Sequence, residues 1–171
     1  MHADKHIVVT DHSNLFRRLL RLMLESAGLH RITETEHYHE TLKILRTHKV
    51  DLLLLEYELN GFCGLDFIRQ IRSGQSGVNK EVPIIILTDP LGEEWLDQKI
   101  AGQVIAAGAS ACLTKPISLK KFLPTILEAL AQEPHVVHEP KHVVAPFGFA
   151  AAFRQSLERL NNVFMPVPQI F

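Results

Sequence analysis

The chain has 171 residues and a formal net charge of −1, so it is long enough for one domain plus an appendage and has no basic field that would attract nucleic acid or an anionic membrane. No stretch reaches the roughly 18 consecutive apolar residues that span a bilayer, and the amino terminus does not resemble a signal peptide. The two cysteines, Cys63 and Cys112, form neither a disulfide framework nor a paired metal motif. We therefore expect a cytoplasmic protein that binds neither nucleic acid nor membrane.

Short apolar runs alternate with amphipathic segments through the first 131 residues. In chain order, strands are predicted at 6–10, 31–35, 51–56, 82–88 and 109–114, and helices at 15–28, 38–48, 64–72, 93–108 and 118–130. In the first helix, Leu15, Leu19, Leu22 and Met23 are predicted to share one face. Ser118 is a candidate N-cap of the last helix.

Five strands that alternate with five helices indicate an α/β fold with an open parallel sheet covered on both faces. The runs LLLL and IIIL lack polar alternation, which is typical of strands buried on both sides. The sequence therefore predicts a doubly wound five-stranded parallel sheet within residues 1–131.

The last 40 residues have a different character. Residues 132–147 contain three prolines and three histidines, which predicts an extended linker, and His135, His138 and His142 lack the acid or cysteine partners of a metal site. Residues 148–171 predict a short amphipathic helix and tail. Its apolar stripe comprises Phe149, Phe153, Leu157, Leu160 and Phe164. This helical extension could pack on its own domain or form a homodimer.

Polar side chains follow the predicted strands at their carboxyl ends. Asp11 and His12 follow the first strand, Glu56 ends the third, and Thr88 and Lys115 follow the fourth and fifth. Ligands of doubly wound sheets bind outside this edge, so we expect these side chains to converge in one crevice.

Four stretches resemble the receiver domain of two-component response regulators: IVVTDHSNLFRRLL, DLLLLEYELNGFCGLDFIRQIR, VPIIILT and AGASACLTKPIS. The resemblance covers roughly residues 5–131. The Lys-Pro after the fifth strand and the Gly-x-x-Gly after the third are specific when they occur in this order. The resemblance implies a flavodoxin-like (βα)5 fold for a receiver-like domain at 1–131.

The resemblance implies that Mg²⁺ is held by two acids after the first strand and an aspartate after the third. The aspartate accepts a phosphoryl group from a histidine kinase, and a Thr or Ser and a Lys contact its oxygens. The matching positions are Asp11 and His12 for the acids, Glu56 for the acceptor, and Thr88 and Lys115 for the phosphoryl contacts. Pro116 is expected to set a cis Lys-Pro bond.

The chain departs from this pattern at the residues that carry the chemistry. Glu56 is one methylene longer than aspartate and moves the carboxylate by about 1.5 Å. His12 offers an imidazole, a poor ligand for Mg²⁺, whereas a shifted register would make the acid pair Thr10 and Asp11. Either register loses one carboxylate.

Two further departures lie at or beside the residues expected to switch on phosphorylation, which match Thr88 and Cys112. The departures are Cys112 itself and Asp89, the neighbour of Thr88. Cys112 replaces the Tyr or Phe whose rotation reports phosphorylation in many receivers. Asp89 adds a negative charge where a small residue is usual. The altered positions together indicate that the phosphorylation switch is lost or weakened.

We therefore predict an atypical receiver that acts in signalling by protein–protein interaction and is not an enzyme. Glu56 is expected to pair with Lys115 without a cofactor, with at most weak Mg²⁺ binding through Asp11 and Glu56. The expected partner is a histidine kinase, a phosphotransfer protein or another regulator. The extension is too short for the usual DNA-binding output domain.

Two alternatives stay open. A receiver could still accept a phosphoryl group at this unusual residue or within a phosphorelay. A flavodoxin-like small-molecule-binding protein or enzyme would share the fold, but the chain lacks a Gly/Ser/Thr-rich phosphate loop and a hydrolase motif. Thr88 and Lys115 also fit a purely structural role.

Overall fold

A computed structural model describes residues 4–131, which form a parallel sheet flanked by helices. The strands are β1 (Ile7–Thr10), β2 (Ile32–Thr35), β3 (Leu52–Glu56), β4 (Glu58–Leu59), β5 (Phe62–Cys63), β6 (Ile84–Thr88) and β7 (Ala111–Thr114). The helices are α1 (Asn14–Ser26), α2 (Tyr38–Thr47), α3 (Gly64–Arg72), α4 (Glu94–Ala106) and α5 (Leu119–Ala131). The predicted order of five strands and five helices is confirmed, and the short strands β4 and β5 are additional.

The five-stranded sheet has the order β2-β1-β3-β6-β7, and every pair in it is parallel. This is the flavodoxin-like order: β2 is added on one side of β1, and β3, β6 and β7 are added on the other, so the strand order reverses between β1 and β3. The predicted doubly wound α/β fold is therefore confirmed for the described residues.

Side chains on the two faces of the sheet form two separate apolar cores. Val8, Leu53 and Ile84 pack on one face against α2, α3 and α4. Ile7, Leu54 and Ile85 pack on the other against α1 and α5. Because adjacent residues in a strand face opposite sides, the uninterrupted apolar runs of β3 and β6 supply both cores.

Of the four residues predicted to share the apolar face of α1, only Met23 is buried. Leu15, Leu19 and Leu22 are 80%, 44% and 64% exposed, while Leu20, Met23 and Leu24 are buried against the sheet and α5. Leucines occur on both sides of this helix, so their spacing fits two rotational phases. Packing decides between them.

A short hairpin follows β3, in the Gly-x-x-Gly region where no strand was predicted. Strands β4 and β5 pair through Asn60 and Gly61, both with positive φ (50° and 84°). An Asn-Gly pair is the preferred sequence for such a two-residue turn. The hairpin delivers the chain to α3, where the Gly64 N–H donates to the Tyr57 carbonyl at 2.6 Å.

The predicted linker at 132–147 and the amphipathic helix and tail at 148–171 lie outside the described residues. Within the described part of the chain, none of the helices has the length and hydropathy required to cross a membrane.

Candidate functional site

The carboxyl ends of β1, β3 and β7 bring four of the predicted residues together. Asp11 and His12 follow β1, Glu56 ends β3, and Lys115 follows β7. Asp11 is fully buried and Glu56 is 1% exposed. With Thr88 at the end of β6, these residues are referred to as the Glu56 pocket.

Lys115 bridges two buried acids. Its Nζ donates to Asp11 Oδ2 and to Glu56 Oε1, each at 2.9 Å. It also lies 3.7 Å from the exposed carboxylate of Asp89 and 4.4 Å from the centroid of the Phe16 ring. The ammonium is thus held by carboxylates on one side and an aromatic face on the other.

His12 holds the second oxygen of Glu56. The His12 backbone N–H donates to Oε2 at 3.0 Å, and the His12 Nδ1 lies 2.6 Å from the same atom. Glu56 Oε1 is bound by Lys115, so both carboxylate oxygens have protein partners. The sequence predicted the pairing with Lys115 and placed His12 in the same crevice, but it did not predict a hydrogen bond between His12 and Glu56.

The pKa directions reflect these contacts. Burial raises the pKa of Glu56, but the hydrogen bonds from the His12 backbone and from Lys115 outweigh it, and the net pKa is lowered. For Asp11, burial prevails and the pKa is raised despite the Lys115 contact. The hydrogen bond with Glu56 raises the pKa of His12. Burial lowers the pKa of Lys115, but its bonds to Glu56 and Asp11 raise it overall.

Thr10, the residue before Asp11, faces Thr35 and Thr41 rather than Lys115. The Thr10 hydroxyl is buried 2.8 Å from the hydroxyls of both Thr35 and Thr41. The backbone alternation of β1 therefore directs Asp11, and not Thr10, toward Lys115. Asp11 thus contacts Lys115 and His12 contacts Glu56, while the Thr10 hydroxyl bonds to Thr35 and Thr41.

The predicted switch residues lie on neighbouring strands, Thr88 at the end of β6 and Cys112 within β7. The buried Thr88 hydroxyl donates to the carbonyl of its neighbour Asp89 at 3.1 Å. Cys112 is half-buried against the core, and burial raises the pKa of its thiol to about 11. The peptide bond between Lys115 and Pro116 is cis.

Tyr38, at the start of α2, supports the end of β3 that carries Glu56. The sequence did not reveal this role. Its hydroxyl donates to the Glu56 carbonyl at 3.1 Å and lies 3.3 Å from the Tyr57 carbonyl. Its ring stacks on Phe67 with centroids 4.9 Å apart. The strand end that carries Glu56 is therefore anchored by both side chain and backbone.

The donors around Glu56 do not fit Mg²⁺ well. Potential ligand atoms of Asp11, His12 and Glu56 lie within 4.8 Å of one another. Mg²⁺ requires a near-octahedral set of oxygens, but one donor here is an imidazole. Lys115 already occupies one oxygen of each carboxylate.

Comparisons with known proteins show which family has this fold. The family model described as "Response regulator receiver domain" matches residues 7–127. The phosphate regulon transcriptional regulatory protein PhoB of Pseudomonas aeruginosa is 31% identical over 128 residues, which is 75% of this chain and 52% of the relative. An uncharacterized transcriptional regulatory protein of Bacillus subtilis, YkoG, is 30% identical over 74% of this chain and 51% of its own. The chain thus spans about half the length of these curated relatives.

Solved structures give the same result. A response regulator receiver protein from Pseudomonas putida matches with a TM-score of 0.62 and 25% identity, covering 72% of this chain and 96% of its own. The family model covers residues 7–127, which is more than half of the chain. The chain belongs to the response regulator receiver domain family.

Proposed function

We propose that the chain is a pseudo-receiver: a two-component signalling module that works through protein–protein contacts, with phosphorylation lost or strongly weakened at Glu56. The observation that carries this proposal is the occupation of both Glu56 oxygens, Oε1 by Lys115 and Oε2 by His12. These bonds orient both oxygens toward protein donors, whereas an oxygen that attacks phosphorus must have a lone pair aimed in line with the leaving group.

The length of Glu56 and the charges around Lys115 also support weak or absent phosphorylation. Glu56 is longer than the aspartate of the family pattern by about 1.5 Å, and an error of about 1 Å in placement costs about a hundredfold in rate. Asp89 near Lys115 adds a negative charge where a phosphoryl group would arrive. The Lys115 ammonium, which would stabilise that group, is already held by two buried acids.

The contacts also suggest how the module signals without phosphate. Glu56 places an anion against Lys115, so one arrangement of the pocket is favoured permanently. Binding partners would then read a fixed surface, and the expected partners are a histidine kinase, a phosphotransfer protein or another regulator. A cytoplasmic location and the lack of catalytic activity remain parts of this proposal.

Beryllofluoride, which mimics a phosphoryl group, tests the proposal. Amide NMR spectra of the full chain would be recorded with Mg²⁺, before and after beryllofluoride is added. We expect no shift of the Thr88 and Lys115 amides in the wild type. The double variant Glu56→Asp/His12→Asp, which restores the acid pair and acceptor of the family pattern, should show the shift.

The two proteins form a matched pair that differs only at the pocket. A saturating shift in the wild type would support the rival reading, a receiver that still responds at Glu56. If the double variant folds but shows no shift, changes elsewhere, such as Asp89, contribute to the loss.

A further inference from the structure

An aromatic groove lies between the start of α2, the β4–β5 hairpin and the start of α3. Its volume is about 440 Å³, and we name it the Phe62 groove. The rings of Tyr38, Phe62 and Phe67 line it together with Leu42 and Leu59. This volume is in the range of sites that bind a ligand or the side chains of a partner. The groove is separate from the Glu56 pocket, because the two share no residue.

Phe62 is exposed and is held in place beside the groove. It is 66% exposed, although phenylalanine is usually buried. Its ring meets the Tyr38 ring edge to face, with centroids 5.6 Å apart, and Tyr38 stacks on Phe67 at 4.9 Å. Asn60 Nδ2, in the turn of the hairpin, lies 3.2 Å from His37 Nδ1, which ties the hairpin to α2. An exposed ring beside apolar walls is typical of a protein contact site.

The charged groups that line this surface are carboxylates. Asp66 lines the groove, and Glu58 lines an adjoining cavity that shares Phe62 with it. Among the described residues that line the two cavities, none is a lysine or an arginine. Asp66 lies 3.2 Å from Arg69, but the two side chains are 75% and 64% exposed, so exchange of Arg69 for another cation costs little.

Aromatic faces and carboxylates together bind cationic side chains. The face of a ring attracts a guanidinium or ammonium group, a carboxylate pairs with it, and apolar walls cover its methylene stem. The same carboxylates would repel a nucleic acid or an anionic membrane. We propose that the Phe62 groove docks a segment of a partner protein in which arginine or lysine alternates with apolar residues. This proposal rests on the proposed function in taking the chain to act through protein contacts, and it adds the chemistry of the partner.

An amide NMR titration of the full chain with synthetic hexapeptides tests the proposal. It is run without a phosphodonor and at about pH 8, at which imidazole is ordinarily neutral. A peptide that alternates leucine and arginine should cause saturable shifts of the amides of residues 37–42 and 58–70. Replacing its arginines by glutamine should weaken binding by at least about fivefold, because the carboxylates and ring faces then have no cation to hold. Replacing them by glutamate should abolish binding.

Substitutions in the groove test the same contacts from the side of the chain. Phe62→Ala should weaken binding of the leucine–arginine peptide by about tenfold, and Asp66→Asn by about two- to fivefold. Both side chains are largely exposed, so both variants are expected to fold. Trp95→Ala is the matched control, because Trp95 is 60% exposed in α4 and donates to the carboxylate of Glu93 but lies outside the groove. It should leave the affinity unchanged.

Equal binding of the arginine and glutamine peptides, or equal binding by the wild type and Phe62→Ala, would overturn the proposal. Shifts centred on Trp95 would overturn it as well, because aromatic and acidic composition without the groove would then suffice. Since the titrations use neither Mg²⁺ nor a phosphodonor, they can fail while the beryllofluoride result stands, and the beryllofluoride test can fail while the peptide binds.

Discussion

At the scale of single residues, the extra methylene of Glu56 determines how the pocket is satisfied. The longer side chain brings one oxygen to Lys115 and the other to His12, at 2.9 and 2.6 Å. These contacts make up for the removal of the carboxylate from water, which otherwise costs several kcal/mol. The position that would receive a phosphoryl group in the family pattern is here part of an internal hydrogen-bond network.

Replacing Lys115 tests the strength of this network. Lys115→Met would leave Asp11 and Glu56 buried without their shared cation, and we expect the free energy of unfolding to fall by about 3–5 kcal/mol. Chemical denaturation at neutral pH would measure the loss. Lys121→Met, at an exposed position in α5, should change stability by less than about 0.5 kcal/mol.

The companion variant Lys115→Met/Glu56→Gln removes one of the two stranded charges. It should recover part of the lost stability. If Lys115→Met costs no more than the Lys121 control, the ammonium is not needed to compensate the buried acids.

At the scale of elements, the rotational phase of α1 is a consequence of packing. Leu20 is fully buried between the sheet and α5, whereas its neighbour Leu19 is 44% exposed. A helix with leucines on both sides can turn either face inward. Contacts with β1, β3 and α5 select the face.

A pair of leucine truncations tests this phase. Leu20→Ala should lower the free energy of unfolding by about 2–5 kcal/mol, because it leaves a cavity in the core. Leu19→Ala should cost less than about 1 kcal/mol, since Leu19 is 44% exposed and its truncation leaves no closed cavity. Urea denaturation of both variants gives the comparison, and equal losses would show that the phase is wrong.

The entry to α3 depends on a close approach of the backbone at Gly64. A Cβ there would lie 3.1 Å from Tyr57 Cα and 3.1 Å from the Tyr57 carbonyl oxygen, both backbone atoms that cannot move freely. In α4, a Cβ at Gly102 would meet nothing within 4 Å. The same substitution therefore has opposite expected effects at the two glycines.

Thermal or chemical denaturation would compare the two variants. Gly64→Ala should destabilise the domain by about 1–3 kcal/mol, because the hairpin has to shift. Gly102→Ala should stabilise it by about 0.5–1 kcal/mol, since alanine favours the helix. A neutral Gly64→Ala would mean that the hairpin adjusts without cost.

Periodicity and strand-end chemistry predicted much of this structure. The apolar runs located β3 and β6 to within two residues, and the rule for strand ends identified the pocket that Asp11, Glu56 and Lys115 form. The hairpin was missed because each of its strands has only two residues, although Asn60-Gly61 was a signal for it. The His12–Glu56 contact could not be predicted, because it depends on side-chain geometry between residues 44 positions apart.

At the scale of the whole molecule, the two ends of the parallel strands carry different groups of polar residues. The carboxyl edge carries the Glu56 pocket. At the opposite edge, buried His6 joins three segments: its Nδ1 donates to the Lys49 carbonyl at 3.1 Å, and its Nε2 lies 2.8 Å from the Thr33 hydroxyl. Such a histidine makes the stability of the fold depend on pH.

Burial lowers the pKa of His6 below its usual value of 6.5, despite the bond to Lys49. Because the folded-state pKa lies below the unfolded one, stability is full above pH 6.5 and is lost as the pH falls through the folded pKa. Between about pH 7.5 and about pH 5, the wild type should therefore lose more stability than His6→Gln, which has no proton to gain. Denaturation midpoints at both pH values measure the difference, and parallel losses would contradict it.

The central claim is that the Glu56 carboxylate is not available to a phosphodonor. Intact-mass spectrometry of the full chain incubated with acetyl phosphate and Mg²⁺ tests it directly, with Glu56→Asp/His12→Asp as the positive comparison. We expect no added phosphoryl group in the wild type and one in the double variant. A stoichiometric, Mg²⁺-dependent phosphoryl group mapped to Glu56 in the wild type would contradict the claim.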